Sequence, residues 1–333
     1  MGPRGPTRGK DRGFHDRGPA KDESVNEARH REAEQALWSS LGLAPTEKQV
    51  NLRRTGVPVR VQEVGDGPPI VMVHGGSISG TSWATLVALL PDFRCLMLDR
   101  PGCGLSPPLA NGFADVRRLE AFADDLLVDV VDAFDLDAAH VVATSFGGYM
   151  ALRGVAAHPE RFLRMVEFGY SIGAPIERVP FVMRFAAVPG LGALAAAMPP
   201  TPATVRMILR QIGLRQALDG GKMSQASLDW FRSLLRDSRT MRNEFDTMPK
   251  VIRPMKGVNG ELLFPERLLA NFRTPIHFLW GEEDPFGGAG TARPFVARIP
   301  GATLEMMAGA GHAVWMDDAE RAAATTRQFL SAT

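Results

Sequence analysis

A serine at position 145 stands where an apolar run ends and a helix-like stretch begins, in Val141-Val142-Ala143-Thr144-Ser145-Phe146-Gly147-Gly148-Tyr149. A sharp strand-to-helix turn lifts such a hydroxyl above a sheet, strains the backbone and demands small residues two positions either side. Ala143 and Gly147 occupy those positions. The helix start adds a favourable dipole and free amides beside any developing anion. A serine hydroxyl is nucleophilic at neutral pH only beside a base, most often histidine. Of the seven histidines, five sit badly for that task. His15 lies in the N-terminal tail and His30 on a helix; His140 opens the strand before Ser145, His158 closes the helix after it, and His277 lies inside a strand. His74 and His312 remain. His312 follows a run of small residues, Ala308-Gly309-Ala310-Gly311, in a loop between an apolar run and the last helix. A histidine base needs a carboxylate to fix its tautomer. Glu282, Glu283 and Asp284 offer three adjacent acids directly after Ile276–Trp280.

The elements that must position these groups alternate along the chain. Short apolar runs at Ile70–Val73, Arg94–Leu98, His140–Thr144, Met165–Phe168, Ile276–Trp280 and Thr303–Met307 read as strands, and Val57–Val64 as an alternating one. Helix-like stretches are expected at Leu119–Phe134, Gly147–His158, Arg293–Ile299 and Asp318–Leu330. Continuous apolar strands alternating with helices predict a mostly parallel central sheet covered by helices on both faces, with its site at the C-terminal strand ends. From about 171 to 270 the rhythm breaks into proline-interrupted helical segments, read as a helical lid. The expected organisation is a disordered tail over 1–23, an N-terminal helix over 24–44 capped by Ser24 with Glu27, a core over 45–170, the lid over 171–270 and the rest of the core over 271–333.

The chain resembles the α/β-hydrolase superfamily, through the small-Ser-small turn at Ser145, His74-Gly75-Gly76-Ser77, Asp99-Arg100-Pro101-Gly102-Cys103-Gly104 and the order serine, acid, histidine. Ala143 departs from the first glycine of that family's Gly-x-Ser-x-Gly. The resemblance implies an α/β-hydrolase fold and a catalytic triad of Ser145, Asp284 and His312, with Asp284 selected by the family's Gly-x-x-Asp pattern over Glu283. It implies an oxyanion hole from the backbone amides of Gly76 and Phe146, a structural role for His74, and a rigid turn at 99–106 in which Cys103 is no nucleophile. Trp83, Phe146, Trp315 and lid residues Phe181, Met183, Phe185, Met207 and Trp230 are candidates to line an apolar pocket, with Trp83 and Trp315 as substrate-binding residues.

A serine at the elbow argues against family members that use aspartate there. The first expectation is therefore hydrolysis of an ester or lactone of a hydrophobic small molecule through an acyl-enzyme. The alternatives are hydrolysis of a carbon–carbon bond in a β-diketone-like substrate by the same triad, and a low-turnover receptor of the same fold. No cofactor and no metal are expected. A net charge of +1 gives no reason to expect nucleic acid, and no apolar segment is long enough for a membrane span. Two cysteines and the lack of an apolar leader lead to the expectation of a cytoplasmic protein.

Overall fold

The computed structural model describes residues 25–109, 112–176, 179–180, 183–184, 187–188, 201–253 and 257–332. The expected tail, Ser24, Phe181 and Phe185 lie outside the described residues. The chain begins with α1 (Glu27–Ser40), β1 (Thr46–Asn51), β2 (Pro58–Val64) and β3 (Pro69–Val73). Then come α2 (Ala84–Val87), β4 (Arg94–Leu98), α3 (Val116–Ala133), β5 (Ala139–Thr144), α4 (Ser145–Ala157) and β6 (Phe162–Ser171). The next stretch carries α5 (Pro202–Gln211), α6 (Arg215–Asp219), α7 (Gln225–Asp237), α8 (Thr240–Val251), the two-residue strands β7 (Ile252–Arg253) and β8 (Gly257–Val258), and α9 (Glu266–Leu269). The sheet resumes with β9 (Ile276–Gly281), α10 (Ala289–Val296), β10 (Thr303–Met307), α11 (Val314–Asp317) and α12 (Ala319–Leu330).

Eight strands form one sheet in the order β1-β2-β4-β3-β5-β6-β9-β10. Only β1–β2 and β2–β4 pair antiparallel; the other five pairs are parallel. Alternating side chains feed two apolar layers. On β3, Val71 and Val73 join the layer with Leu126 and Leu127 of α3, and Ile70 and Met72 join the layer with Trp38 of α1 and Leu330 of α12. Burial on both faces explains why these strands read as unbroken apolar runs. Cys95 belongs to this core, its thiol pushed up to about 12 by burial.

β1 was not expected from the sequence. Its residues Thr-Glu-Lys-Gln-Val-Asn are mostly exposed at the sheet edge, so it carries no apolar signal, and Lys48 is of the type that discourages edge-to-edge pairing. The first helix begins at Glu27 and is capped by the side chain of Asn26, which accepts from Arg29 N. Its buried face carries His30 and Glu34 beside Leu37 and Trp38; of the stripe Val25, Ala28, Ala36, Leu37 and Leu41 expected from the sequence, Leu37 is buried. α4 starts at Ser145 itself and not at Gly147, because the elbow passes from strand to helix with no intervening loop.

Candidate active site

Four strand ends on one rim supply the site: β3 leads to His74–Gly76, β5 to Ser145, β9 to Asp284 and β10 to His312. Ser145 has φ +57°, a left-handed conformation that a non-glycine residue adopts only under constraint. At Gly147, a side chain would collide with the carbonyl oxygens of Val73 and His74, so the position two after the serine needs glycine to pack α4 against β3. Ala143 fits as a fully buried residue of β5.

Asp284 Oδ2 lies 2.8 Å from His312 Nδ1. A carboxylate accepts, so Nδ1 carries the proton and Nε2 keeps the lone pair a base requires. The carboxylate is held by two backbone amides: Tyr170 N donates to Oδ2 at 2.9 Å and Phe286 N to Oδ1 at 3.0 Å. Its neighbour Glu283 points elsewhere, accepting from Gln216 Nε2 at 2.7 Å on the surface. Among the three adjacent acids, the pairing with His312 belongs to Asp284.

His312 and Ser145 line one cavity, together with Gly75, Gly76, Phe146, Phe286, Trp315 and Met316. Met183, Ile212, Leu214, Glu244, Thr247, Met248 and Val251, from the helical stretch between β6 and β9, supply the facing wall. The lining is mostly apolar. Among the described lining residues Glu244 is the one carboxylate, and none is lysine or arginine.

The other expected residues divide. Phe146 and Gly76 reach the cavity; Trp315 lines it while its indole Nε1 donates to Ser82 O at 3.0 Å. Trp83 does not line it. It is fully buried in the core, its ring centroid 4.5 Å from that of Trp315 and 6.0 Å from that of Phe168, and so buttresses Trp315 from behind. Met183 lines the cavity, Trp230 is buried against Phe231, and Met207 is exposed. His74 spends both ring nitrogens internally: Nδ1 donates to Gly75 O at 2.8 Å, and Nε2 accepts from Arg100 N at 3.0 Å. Burial and the adjacent Arg100 guanidinium push its pKa well below the usual histidine value, which fits a neutral, structural ring. Cys103 is buried, and its thiol is pushed well above its ordinary value by that burial. A thiol so held is a poor nucleophile.

Residues 70–325 match the model of the alpha/beta hydrolase family, more than half of the chain. The chain belongs to the alpha/beta hydrolase family. This hydrolase is 25% identical over 298 residues to a 2-hydroxy-6-oxononadienedioate/2-hydroxy-6-oxononatrienedioate hydrolase of Burkholderia vietnamiensis, covering 86% of this chain and 96% of that protein. In fold it is similar to a 2-hydroxy-6-oxo-6-phenylhexa-2,4-dienoate hydrolase of Rhodococcus sp. strain RHA1, with TM-score 0.71 and 18% identity over 87% of this chain and 99% of that one. It is similar as well to a carboxylesterase of Bacillus subtilis, with TM-score 0.69 and 19% identity over 92% and 98% of the two chains. No helix among the described residues is long and apolar enough to cross a membrane.

Two residues of the hydrolase that sequence reasoning passed over stand at the site. Arg100 belongs to the turn at 99–106 that the resemblance makes structural, and Glu244 lies in the helical stretch with no motif around it. Their buried ion pair, 2.8 Å long, joins that stretch to the turn after β4, and Arg100 also donates to His74 O and Gly75 O in the loop after β3. Only a long-range contact reveals it.

Proposed function

We propose that this hydrolase cleaves the bond beside a carbonyl carbon of a largely apolar small molecule, through an acyl-enzyme on Ser145. The observation that carries the reading is the Asp284–His312 pair, 2.8 Å long, at the wall of the cavity that Ser145 enters. In this mechanism His312 Nε2 takes the proton of the Ser145 hydroxyl as its oxygen attacks the carbonyl carbon. Asp284 stabilises the resulting imidazolium through Nδ1. The amides of Phe146, next to the nucleophile at the start of α4, and of Gly76 receive the developing oxyanion. His312 then returns the proton to the leaving group, and water, activated by the same base, frees the acid and restores Ser145. The segment over 171–270 acts as the lid that covers the apolar part of the substrate.

For the bond cleaved, a carbon–carbon bond flanked by two carbonyl-type groups comes ahead of an ester. The names of the curated relatives describe oxo-dienoates that contain no ester, and hydrolysis of such a molecule breaks a carbon–carbon bond beside the ketone. The leaving electron pair then departs as an enolate, which the second carbonyl stabilises until it is protonated. The ester or lactone reading keeps one observation in its favour. The described cavity lining offers Glu244 and no cation, which suits a neutral hydrophobic acyl group better than a dianion.

A fluorophosphonate probe with peptide mapping, run beside a panel of β-diketones, esters and lactones, tests both levels. Labelling of Ser145 and turnover lost in Ser145→Ala are expected, with the diketones turned over fastest. Turnover that survives Ser145→Ala sinks the mechanism. Tight binding with a single turnover favours a receptor instead.

A further inference from the structure

We propose that Arg100 is a positioning residue that aims the Gly76 amide at the oxyanion, and that Glu244 ties this setting to α8. The inference rests on the serine-hydrolase reading above.

The peptide between Gly75 and Gly76 is planar and trans, so its carbonyl oxygen and its N–H point in opposite directions. Whatever holds the Gly75 oxygen therefore sets where the Gly76 N–H points. Arg100 Nη2 donates to Gly75 O at 2.8 Å, and His74 Nδ1 donates to the same oxygen at 2.8 Å. Arg100 Nε donates to the preceding carbonyl, His74 O, at 3.1 Å. One planar guanidinium thus grips two successive peptides, which a point-charge ammonium cannot do. Two consecutive glycines otherwise leave that peptide free to rotate at little cost.

The same guanidinium lies 4.8 Å from the centroid of the Phe146 ring, so it contacts the peptide that carries one proposed oxyanion donor and the side chain of the residue that carries the other. Its remaining partner is Glu244, whose Oε1 accepts from Nη2 at 2.8 Å with both side chains almost wholly buried. The other carboxylate oxygen stands 3.0 Å from where a β-carbon on Gly76 would be, so Glu244 also packs against Gly76 at the cavity wall. Cys103 Sγ donates to Glu244 Oε1 at 3.4 Å. A buried ion pair is weak evidence for stability in its own right, because desolvation offsets its attraction. Its geometric consequence at the loop is the stronger reason for its position.

Arg100→Lys keeps the charge and loses the fork. The experiment measures kcat and KM on whichever panel substrate the wild type turns over, the affinity for a trifluoromethyl ketone that forms an oxyanion on Ser145, and the thermal midpoint. Removing one oxyanion donor outright costs about 10²–10³ in kcat, so misaiming one is expected to cost about 10- to 100-fold. KM should stay within about threefold, and ketone affinity should fall by the same factor as kcat/KM. Unchanged kcat and ketone affinity in Arg100→Lys, whatever the thermal midpoint does, overturns the proposal, as does a rise in KM alone. If Arg100→Lys does not fold, Glu244→Gln decides: both readouts should fall by about 3- to 10-fold, and no change overturns it. Wild-type protein without Ser145-dependent turnover overturns the hydrolase reading and this one together, whereas a normal wild type with an indifferent Arg100→Lys removes only this one.

Discussion

At the scale of single residues, the elbow and the acid are where side-chain identity decides most. Gly147 is fixed by contact, since an added methyl meets two backbone carbonyl oxygens that cannot move without parting α4 from β3. Gly147→Ala is expected to abolish activity and to lower the thermal midpoint, read by calorimetry; a variant as stable and active as wild type would contradict this packing. Asp284 and Glu283 are adjacent in sequence and differ entirely in surroundings. Asp284→Asn should reduce kcat by about 10⁴-fold, because the amide favours the wrong histidine tautomer. Glu283→Gln should leave turnover unchanged, since the Glu283 carboxylate turns to Gln216 on the surface. Equal losses in the two variants would reopen the assignment. The run of three acids left the choice open, and only the family pattern favoured Asp284; of the two amides that hold it, that of Tyr170 comes from another strand, β6, and that of Phe286 from the same loop two residues on.

At the scale of elements, the loop bearing His312 is held from two sides. His312 N donates to Gly213 O at 3.1 Å, between α5 and α6. Gly311 N donates to Asp317 Oδ2 at 2.7 Å, at the end of α11. Gly213 has φ +91°, and a β-carbon there would collide with the β-carbon of His312. Gly213→Ala is therefore expected to lower kcat by at least about tenfold by displacing His312, the proposed base, and unaltered kinetics would show that the loop accommodates it. Asp317 titrates unusually, its carboxyl raised to about 6 by burial, against the opposing bond from Gly311 N. A carboxyl with a raised folded pKa binds its proton more tightly when folded, so it favours folding below the unfolded value, about 3.9, and progressively less as pH rises to about 6. The stability of Asp317→Asn relative to wild type should rise between about pH 4 and 6 and level off above, as thermal midpoints would reveal. A flat difference across that window would show that Asp317 is not so perturbed.

At the scale of the whole molecule, α1 is docked by charge as much as by apolar burial. Glu34 accepts from Arg60 at 2.7 Å and 3.1 Å, and Arg60 reaches Asp99 at 3.1 Å, all three side chains buried between α1, β2 and the end of β4. Glu34→Ala leaves the guanidinium short of acceptors away from water and is expected to cost about 3 kcal/mol in denaturant unfolding. A loss below about 0.5 kcal/mol would mean the helix is held by Leu37 and Trp38 alone. That polar network leaves no mark in the sequence, because its members are 26 and 39 residues apart. The edge strand β1 was equally hidden, since an exposed edge leaves no apolar pattern. The amino-acid sequence by itself determined the mostly parallel sheet and the segments holding Ser145, Asp284 and His312, because strand burial and turn chemistry are local and leave periodic marks. Tertiary structure alone decided that Trp83 supports Trp315 instead of touching the cavity, and that Arg100 and Glu244 meet beside the loop of Gly75 and Gly76. Those outcomes depend on side-chain directions and on contacts between distant strand ends, which no local pattern records.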